Sequence, residues 1–446
     1  MTAAINPPRV RGACPGALVP MEVADGLLVR LRIPGGTLPA TTARAVADLT
    51  RRHGNGLVDL SQRANLQIRG VTNALLGPLL DALRDLGLVN GDPAAERVRN
   101  VLCSPTCGLD PECAPVRPLA RALDEALANR PDLWTLPAKF SVVLNGGGRA
   151  PLADAVGDIR FDALPGTTLF RVAVGGDQDD AATLGACRAD AVAETALTLG
   201  RAFLDLSAGR HKRLATLVAA EGTAGLARRV PLAPLPTDIA LPGSAPHRLL
   251  GRQPAWTGVA FPFGGLHADT LATLAHLTPT LRLTPWRALL LEGDGVDADA
   301  IHALGGVLAP DDPRLALSAC SGRGACDSGL TDARGDALAL AQVAPRLLAG
   351  GHIHVSACAK GCAHPAPALV ILTARGDQAY DVGLLAPAGG AAQWRGVTPA
   401  RATSLVAALE AVYTHRMRAD EDPAALITRL GGPAAVAALV EATVVA

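Results

Sequence analysis

The feature that most constrains this chain is a long pattern that occurs twice. Residues 26–71 begin with an alternating strand, "GLLVRLRIP", turn at Gly35-Gly36 and run through a helical stretch, "LPATTARAVADLTRRHG". They then return as extended chain in "GLVDLSQRANLQIRGV". From residue 258 the same order recurs, with "GVAFPFGGLHADTLATLAHL" followed by "LRLTPWRALLLEGD". Gly35-Gly36 then matches Gly264-Gly265, Leu60 matches Leu283 and Gly70 matches Gly293. Two copies are too few for a solenoid. The repeat predicts two related half-domains that pack as a pseudo-symmetric pair, each followed by a larger domain.

Between and after the repeats the periodicity changes. Helical patterns cover 116–129, 189–206, 331–348 and 401–417, and short β-rich runs such as "FSVVLN", "TTLFRVAVGG" and "PALVILTA" lie between them. The Pro-rich stretch 230–246, "VPLAPLPTDIALPGSAP", reads as a linker. The fold class is therefore α+β, in two related halves.

Composition narrows the function. Of 446 residues 49% are hydrophobic and only 18% charged, so the chain is long and apolar enough for several cores. Aromatics are only 3%, which predicts helices packed on small side chains. A formal net charge of zero argues against nucleic acid as the main partner, because a phosphate backbone calls for a basic surplus. The opening "MTAAINPPRVRGACPG" lacks the apolar run of a signal peptide, and no membrane-length apolar stretch follows. A soluble cytoplasmic protein is expected. There, nine cysteines suggest metal ligation or catalysis rather than a disulfide framework.

Four of those cysteines come as two pairs. Cys320 and Cys326 stand in "SACSGRGAC", and Cys358 and Cys362 in "HVSACAKGCAHP". Four thiolates suit a [4Fe–4S] cluster, which takes one soft anionic ligand per iron. Zinc sites prefer tighter C-x2-C knuckles, and a thioredoxin-like dithiol needs C-x-x-C. If the second pair opens a helix, its sulfurs share one face, and Gly322, Gly324 and Gly361 let the backbone approach inorganic sulfide. The alternative is four buried apolar cysteines. Cys103, Cys107 and Cys113 form a second group with no clear fourth ligand, read as packing or a loop near the active site. Cys14 and Cys187 are isolated.

The C-x5-C and C-x3-C pairs resemble the cluster motif of the sirohaem-dependent sulfite and nitrite reductases. The stretch "LSQRANLQIRGV", with Arg63, Asn65, Gln67 and Arg69, is similar to that family's Arg-bearing strand, and "RVRNVLCSPTCGLDPE" to the loop after it. The duplication fits as well. The resemblance implies two ferredoxin-like half-domains, 15–75 and 247–298. It also implies a tetrapyrrole-binding reductase-like domain at 76–229, a linker at 230–246, and a second reductase-like domain at 299–446 carrying the cluster cysteines. Cys362 matches the position that bridges cluster and sirohaem iron in the reductases.

Within the family, "RGACPG", the short length and "LPAKF" at 136–140 make the chain most similar to the oxygen-dependent branch of aerobic cobalamin biosynthesis. That branch is implied to take precorrin-3A and O2, carry a [4Fe–4S] cluster and hydroxylate C20 with formation of a γ-lactone. NADH is the implied ultimate donor. No dinucleotide fingerprint is present, so a separate electron-donor protein is expected. Ala138 stands where the reductases carry an Arg, and Arg210, His211, Lys212 and Arg213 stand near their lysine pair.

A macrocycle bearing acetates and propionates needs converging cations, preferably Arg for bidentate contacts. The candidates are Arg63, Arg69, Arg97, Arg99, Lys139, Arg210, Lys212 and Arg213, with Asn65 and Gln67 beside them. His352 and His354 in "GHIHVS" fall on one strand face, where two imidazoles could serve a mononuclear non-haem iron. A sirohaem reductase and a non-catalytic iron–sulfur carrier or redox sensor are the competing readings. A carrier has no use for a carboxylate-reading cleft.

Overall fold

The computed structural model describes residues 15–236, 239–376 and 378–445. Cys14, most of the N-terminal segment and two residues of the Pro-rich stretch lie outside the described residues. The described chain divides into two compact units, one of residues 15–22 and 26–310 and one of residues 23–25 and 311–445. Both half-domains and the first reductase-like domain thus share the larger unit.

The duplicated pattern folds as two sheets that exchange strands. In the first, Gly26–Leu31, Leu66–Val71, Leu57–Leu60 and Gly265–His267 lie side by side in that order. In the second, the order is Gly251–Arg252, Trp256–Ala260, Ala288–Glu292, Thr280–Leu283 and Thr37–Pro39. Each copy therefore lends one short strand to the other: Leu38 pairs with Leu281, and Leu266 with Val58, both antiparallel. Exchange turns an edge that would be exposed into a paired one.

Helix Ala40–His53 buries Ala43, Val46, Ala47 and Thr50, the i, i+3, i+4, i+7 stripe of a helix with one apolar face. Helix Ala268–Leu277 buries Ala268, Leu271, Leu274 and Ala275 in the same core. The alanines on both helices bear out the expectation of packing on small side chains.

The turn that begins each exchanged strand corrects the repeat alignment. Short 3-10 turns span Pro34–Gly36 and Pro262–Gly264, so Gly36 matches Gly264 and Gly35 matches Phe263. Gly35 has φ 65° and Phe263 φ 59°. The second copy holds a bulky residue in the left-handed region that glycine fills without strain in the first. Aligning the glycine pairs by identity misplaced this turn by one residue.

The two reductase-like sheets share one topology. Val101–Cys103, Val142–Asn145 and Gly157–Ala163 are parallel neighbours, and Leu169–Gly176 and Ala182–Arg188 then add antiparallel. In the smaller unit Leu317–Ala319, Ile353–Ser356 and Ala368–Ala374 are parallel, and Tyr380–Ala386 and Trp394–Val397 add antiparallel. In each sheet the loop after the first strand carries cysteines. Helices Val116–Ala128, Val192–Ser207 and Pro399–Arg416 match the helical patterns closely, whereas the 331–348 pattern divides into Ala333–Val343 and Pro345–Gly350 at Pro345. Proline lacks the N–H that a continuous helix would need there. Among the described residues no single helix is long and apolar enough to cross a membrane.

Candidate active site and cluster-binding loops

In the larger unit a small cavity is lined by Arg32, Arg63, Asn65, Arg99, Asn100 and Asp124 among others. Three of the candidates, Arg63, Asn65 and Arg99, therefore meet. Arg63 lies in the hairpin between Leu57–Leu60 and Leu66–Val71, and its Nη1 donates to the Lys139 carbonyl at 3.3 Å. That contact joins the Arg-bearing strand to "LPAKF", which the sequence alone left as separate motifs. Lys139 and Lys212 are exposed.

Arg32, Asn100 and Asp124 were not among the candidates. Arg32 is 3% exposed and donates to Asn100 Oδ1 and Glu96 Oε1. Glu96 also accepts from Arg99, which makes two bonds to Asp124 Oδ2 at 3.0 and 2.7 Å. Helix Pro93–Val98 sets this network in place, its first turn capped by Asp92, which accepts from Ala94 N–H and Ala95 N–H. The signal for Arg32 was present: it continues the polar phase of the first strand's alternation beyond Arg30.

The other candidate cations are engaged within the protein. Arg69 donates to Asp59, Arg210 pairs with Glu221, and Arg213 pairs with Asp158 at 3.0 Å. Asp158 also accepts from Leu214 N–H and Ser141 N–H, so Arg213 helps fasten its segment to the sheet. Gln67 accepts both Nε and Nη2 of Arg30. Arg97 is exposed and donates to the Trp134 carbonyl. Proximity of many cations in sequence did not reveal which already had carboxylate partners.

In the smaller unit the four paired cysteines lie on loops after two neighbouring parallel strands, Leu317–Ala319 and Ile353–Ser356. All four are free thiols in electrostatic reach of one another. Ala357 N–H donates to Cys320 Sγ at 3.2 Å. Burial pushes the Cys320 and Cys362 thiols up, and the neighbouring cysteines add to this, while Lys360 opposes it at Cys362. An electrophilic metal would relieve that penalty by taking thiolates. Cys358 and Cys362 sit in turns rather than at a helix start. Gly361 has φ 63°, outside helical space, and a Cβ there would fall 2.9 Å from the Ala388 side chain. Gly322 and Gly324 are also left-handed, at φ 74° and 81°. The glycines therefore serve tight turns that bring the sulfurs round.

Among the described residues, no three His, Cys, Asp or Glu side chains converge on a point that could hold a single metal ion. A cluster asks for something else, one thiolate at each of four irons, and the gathered thiols with a backbone N–H on sulfur fit that chemistry.

Beside the loops, His352 and His364 rings lie 4.3 Å apart and His354 and His364 rings 5.8 Å apart. His352 Nε2 shares a hydrogen bond with Ser318 Oγ at 2.8 Å, whereas both ring nitrogens of fully buried His354 lack a partner among the described residues. Burial and the His364 charge push both His352 and His354 down to about 4, so each is a neutral imidazole at neutral pH.

Cys103, Cys107 and Cys113 belong to the core of the first reductase-like domain, and Cys187 joins it. None of the eight described cysteines is in a disulfide.

Residues 19–86 match the family described as the nitrite/sulfite reductase ferredoxin-like half domain. The solved structure of the NirA protein of Mycobacterium tuberculosis superposes with a TM-score of 0.70 at 21% identity, covering 90% of this chain and 83% of that one. A ferredoxin–nitrite reductase of Synechococcus elongatus is 32% identical over 157 residues, 33% of this chain and 31% of its own length. A precorrin-3B synthase of Sinorhizobium sp is 33% identical over 384 residues, 81% of this chain and 80% of that protein.

Fold and relatives together define an oxidoreductase with the nitrite and sulfite reductase architecture. Similarity to the nitrite reductase of Synechococcus is confined to a third of the chain, whereas similarity to the synthase runs through most of both proteins. The chain belongs to the precorrin-3B synthase family.

Proposed function

We propose that the chain hydroxylates precorrin-3A at C20, with closure of a γ-lactone, as a step of aerobic cobalamin synthesis. One atom of O2 enters the product and the other leaves as water, with two electrons from NADH delivered through a separate donor protein. The observation that carries this reading is the state of the 210–213 run. Two of its cations are paired with Glu221 and Asp158, and Ala138 stands where the resemblance to the reductases implies an Arg. A site that protonates bound sulfite or nitrite needs unengaged cations, while a macrocycle's carboxylates need only a few well-aimed ones.

In this reading Arg63 takes a carboxylate of the macrocycle at the cavity, exposed Lys139 takes another from beside it, and Asn65 offers an amide group, whereas Asn100, already bonded to Arg32 and to the Arg97, Ala138 and Phe140 carbonyls, belongs to the wall. The buried Arg32–Glu96–Arg99–Asp124 network holds the cavity wall rigid, so binding does not have to order it. Arg69, Gln67, Arg97, Arg210 and Arg213 support the framework, and Lys212 meets substrate at most from the rim. Cys320, Cys326, Cys358 and Cys362 would hold the [4Fe–4S] cluster, which supplies single electrons. If a mononuclear iron is also used, His354, neutral and without a partner, is the residue most prepared to ligate it, with His352 beside it. The unpaired thiols suit a reducing, cytoplasmic setting.

The test is an anaerobic absorption and EPR study of purified protein, with and without precorrin-3A, followed by O2. A cluster signal without a sirohaem band, and a macrocycle spectrum that changes only when O2 arrives, is the expected result. A strong Soret band from bound sirohaem would overturn it in favour of a reductase.

A further inference from the structure

The loop after Val101–Cys103 holds the same topological position in its sheet as the Cys320–Cys326 loop in the other, and it too carries a C-x5-C pair, Cys107 and Cys113. Here both cysteines line one groove, and the Cys113 thiol donates to the Ala114 carbonyl at 3.6 Å. Cys107 Sγ accepts from Arg117 N–H at 3.3 Å, at the start of helix Val116–Ala128, and the Arg117 guanidinium lies nearby. The space for Cys113 is made by two glycines. A Cβ at Gly146 would fall 2.7 Å from Cys113 Sγ, and one at Gly148 would fall 2.9 Å from Cys113 Cβ. Cys107 and Cys113 line the groove together with Pro111, Pro115, Arg117 and Arg121. Each cysteine is less than a tenth exposed, so the groove admits a small reagent rather than a bulky one.

We propose that Cys107 and Cys113 are a dithiol that reacts with hydroperoxides, Cys107 as the attacking sulfur and Cys113 as the resolving one. The Cys107 thiolate attacks the terminal peroxide oxygen, the O–O bond breaks, and the released oxygen takes a proton and leaves as water from hydrogen peroxide or as an alcohol from an organic hydroperoxide. Cys107 is now a sulfenic acid. Cys113 sulfur attacks it, the S–O bond breaks, a water leaves and a Cys107–Cys113 disulfide forms. Two thiols lose two electrons in total and one hydrogen peroxide becomes two waters.

The electrostatics divide the roles the same way. Contact with Cys113, opposed by burial and helped by the Arg117 N–H and charge, holds Cys107 below the ordinary thiol range, while the same contact and burial push Cys113 up. The other titratable and charged groups around the pair are Cys103, Asp110 and Arg282. Cys103 and Cys187 are built-in controls, because burial pushes them up to about 12 and about 11. A thiolate is the reactive form, so Cys107 outpaces both controls by at least about tenfold.

The experiment uses the full chain, treated with hydrogen peroxide, quenched by alkylation and mapped by peptide mass. The expected products are a Cys107–Cys113 disulfide in the wild type, a dimedone-trapped sulfenic acid on Cys107 in Cys113→Ser, and an alkylated Cys113 thiol in Cys107→Ser. The wild type decides the matter if either variant misfolds. Cys107 and Cys113 remaining alkylatable alongside Cys103 and Cys187, or a disulfide formed through Cys103, would overturn the proposal. A second readout is the rate of Cys107 alkylation by iodoacetamide, which should level off at a lower pH than the ordinary thiol range of about 8.5. Neither measurement needs precorrin, O2 or a cluster, so its failure would leave the proposed function untouched.

Discussion

Arg69 Nη1 lies 2.9 Å from Asp59 Oδ2, and both side chains are buried between neighbouring strands of the first half-domain. An arginine that resemblance marks as substrate-reading is therefore also half of an internal ion pair. Removing either partner leaves a buried charge without its counter-ion, at a cost of about 3–5 kcal/mol. Arg69→Met and Asp59→Leu are each expected to lower the denaturation midpoint strongly, and the double variant to recover much of the loss. Unfolding curves of the three proteins check this, and additive losses would show that the pair is not coupled.

Arg63 gives the contrasting case, at a cavity rather than inside a sheet. Arg63→Gln should weaken precorrin-3A binding by about 10–100-fold, the worth of one charge-assisted hydrogen bond, with little change in stability. Arg130→Gln is the control, since its guanidinium is exposed and paired with Asp132. Binding followed by macrocycle fluorescence under anaerobic conditions reads both, and equal affinities in the two variants would remove Arg63 from the binding site.

Loss of any one of the four paired cysteines should empty the smaller unit of iron. Wild-type protein purified without oxygen is expected to hold about four irons and four sulfides per chain. Cys320→Ser, Cys326→Ser, Cys358→Ser and Cys362→Ser should each lose most of both, whereas Cys107→Ser keeps them. Iron and acid-labile sulfide assays decide this, and iron without sulfide would point instead to a mononuclear site beside His352 and His354.

Asp162 predicts a specific acid response. Burial alone would raise its carboxyl, but hydrogen bonds and charge from Arg160, the charge of Arg171 and the Asn145 amide outweigh burial and hold it below the usual range. A depressed folded-state value means that the unfolded chain binds the proton first. The contribution of Asp162 is therefore full above the unfolded value of about 3.9 and fades as pH falls through the lower folded one. Asp162→Asn should be less stable than wild type at pH 7, with the gap narrowing only below about pH 4. A gap that stays constant down to the most acid measurable midpoint would contradict the assignment.

Local pattern was sufficient for much of this protein. The alternation of "GLLVRLRIP" and the helical stripe through Ala43, Val46 and Ala47 are short-range signals, and those strands and helices fall where the signals put them, while the two close cysteine pairs fall on loops. Such signals depend on φ/ψ preference and on which side of an element is apolar, and both are written within a few residues. Three things needed the folded chain. The exchange of Thr37–Pro39 and Gly265–His267 between the two half-domain sheets joins residues more than two hundred positions apart, which no window can read. The turn between Cys358 and Cys362 depends on left-handed Gly361 lying against Ala388. Which arginines are tied to carboxylates was set by where Asp59, Asp124, Asp158 and Glu221 came to rest. A charge in a sequence carries no record of its partner, because the partner is chosen by distance in space and by the cost of burying either ion alone.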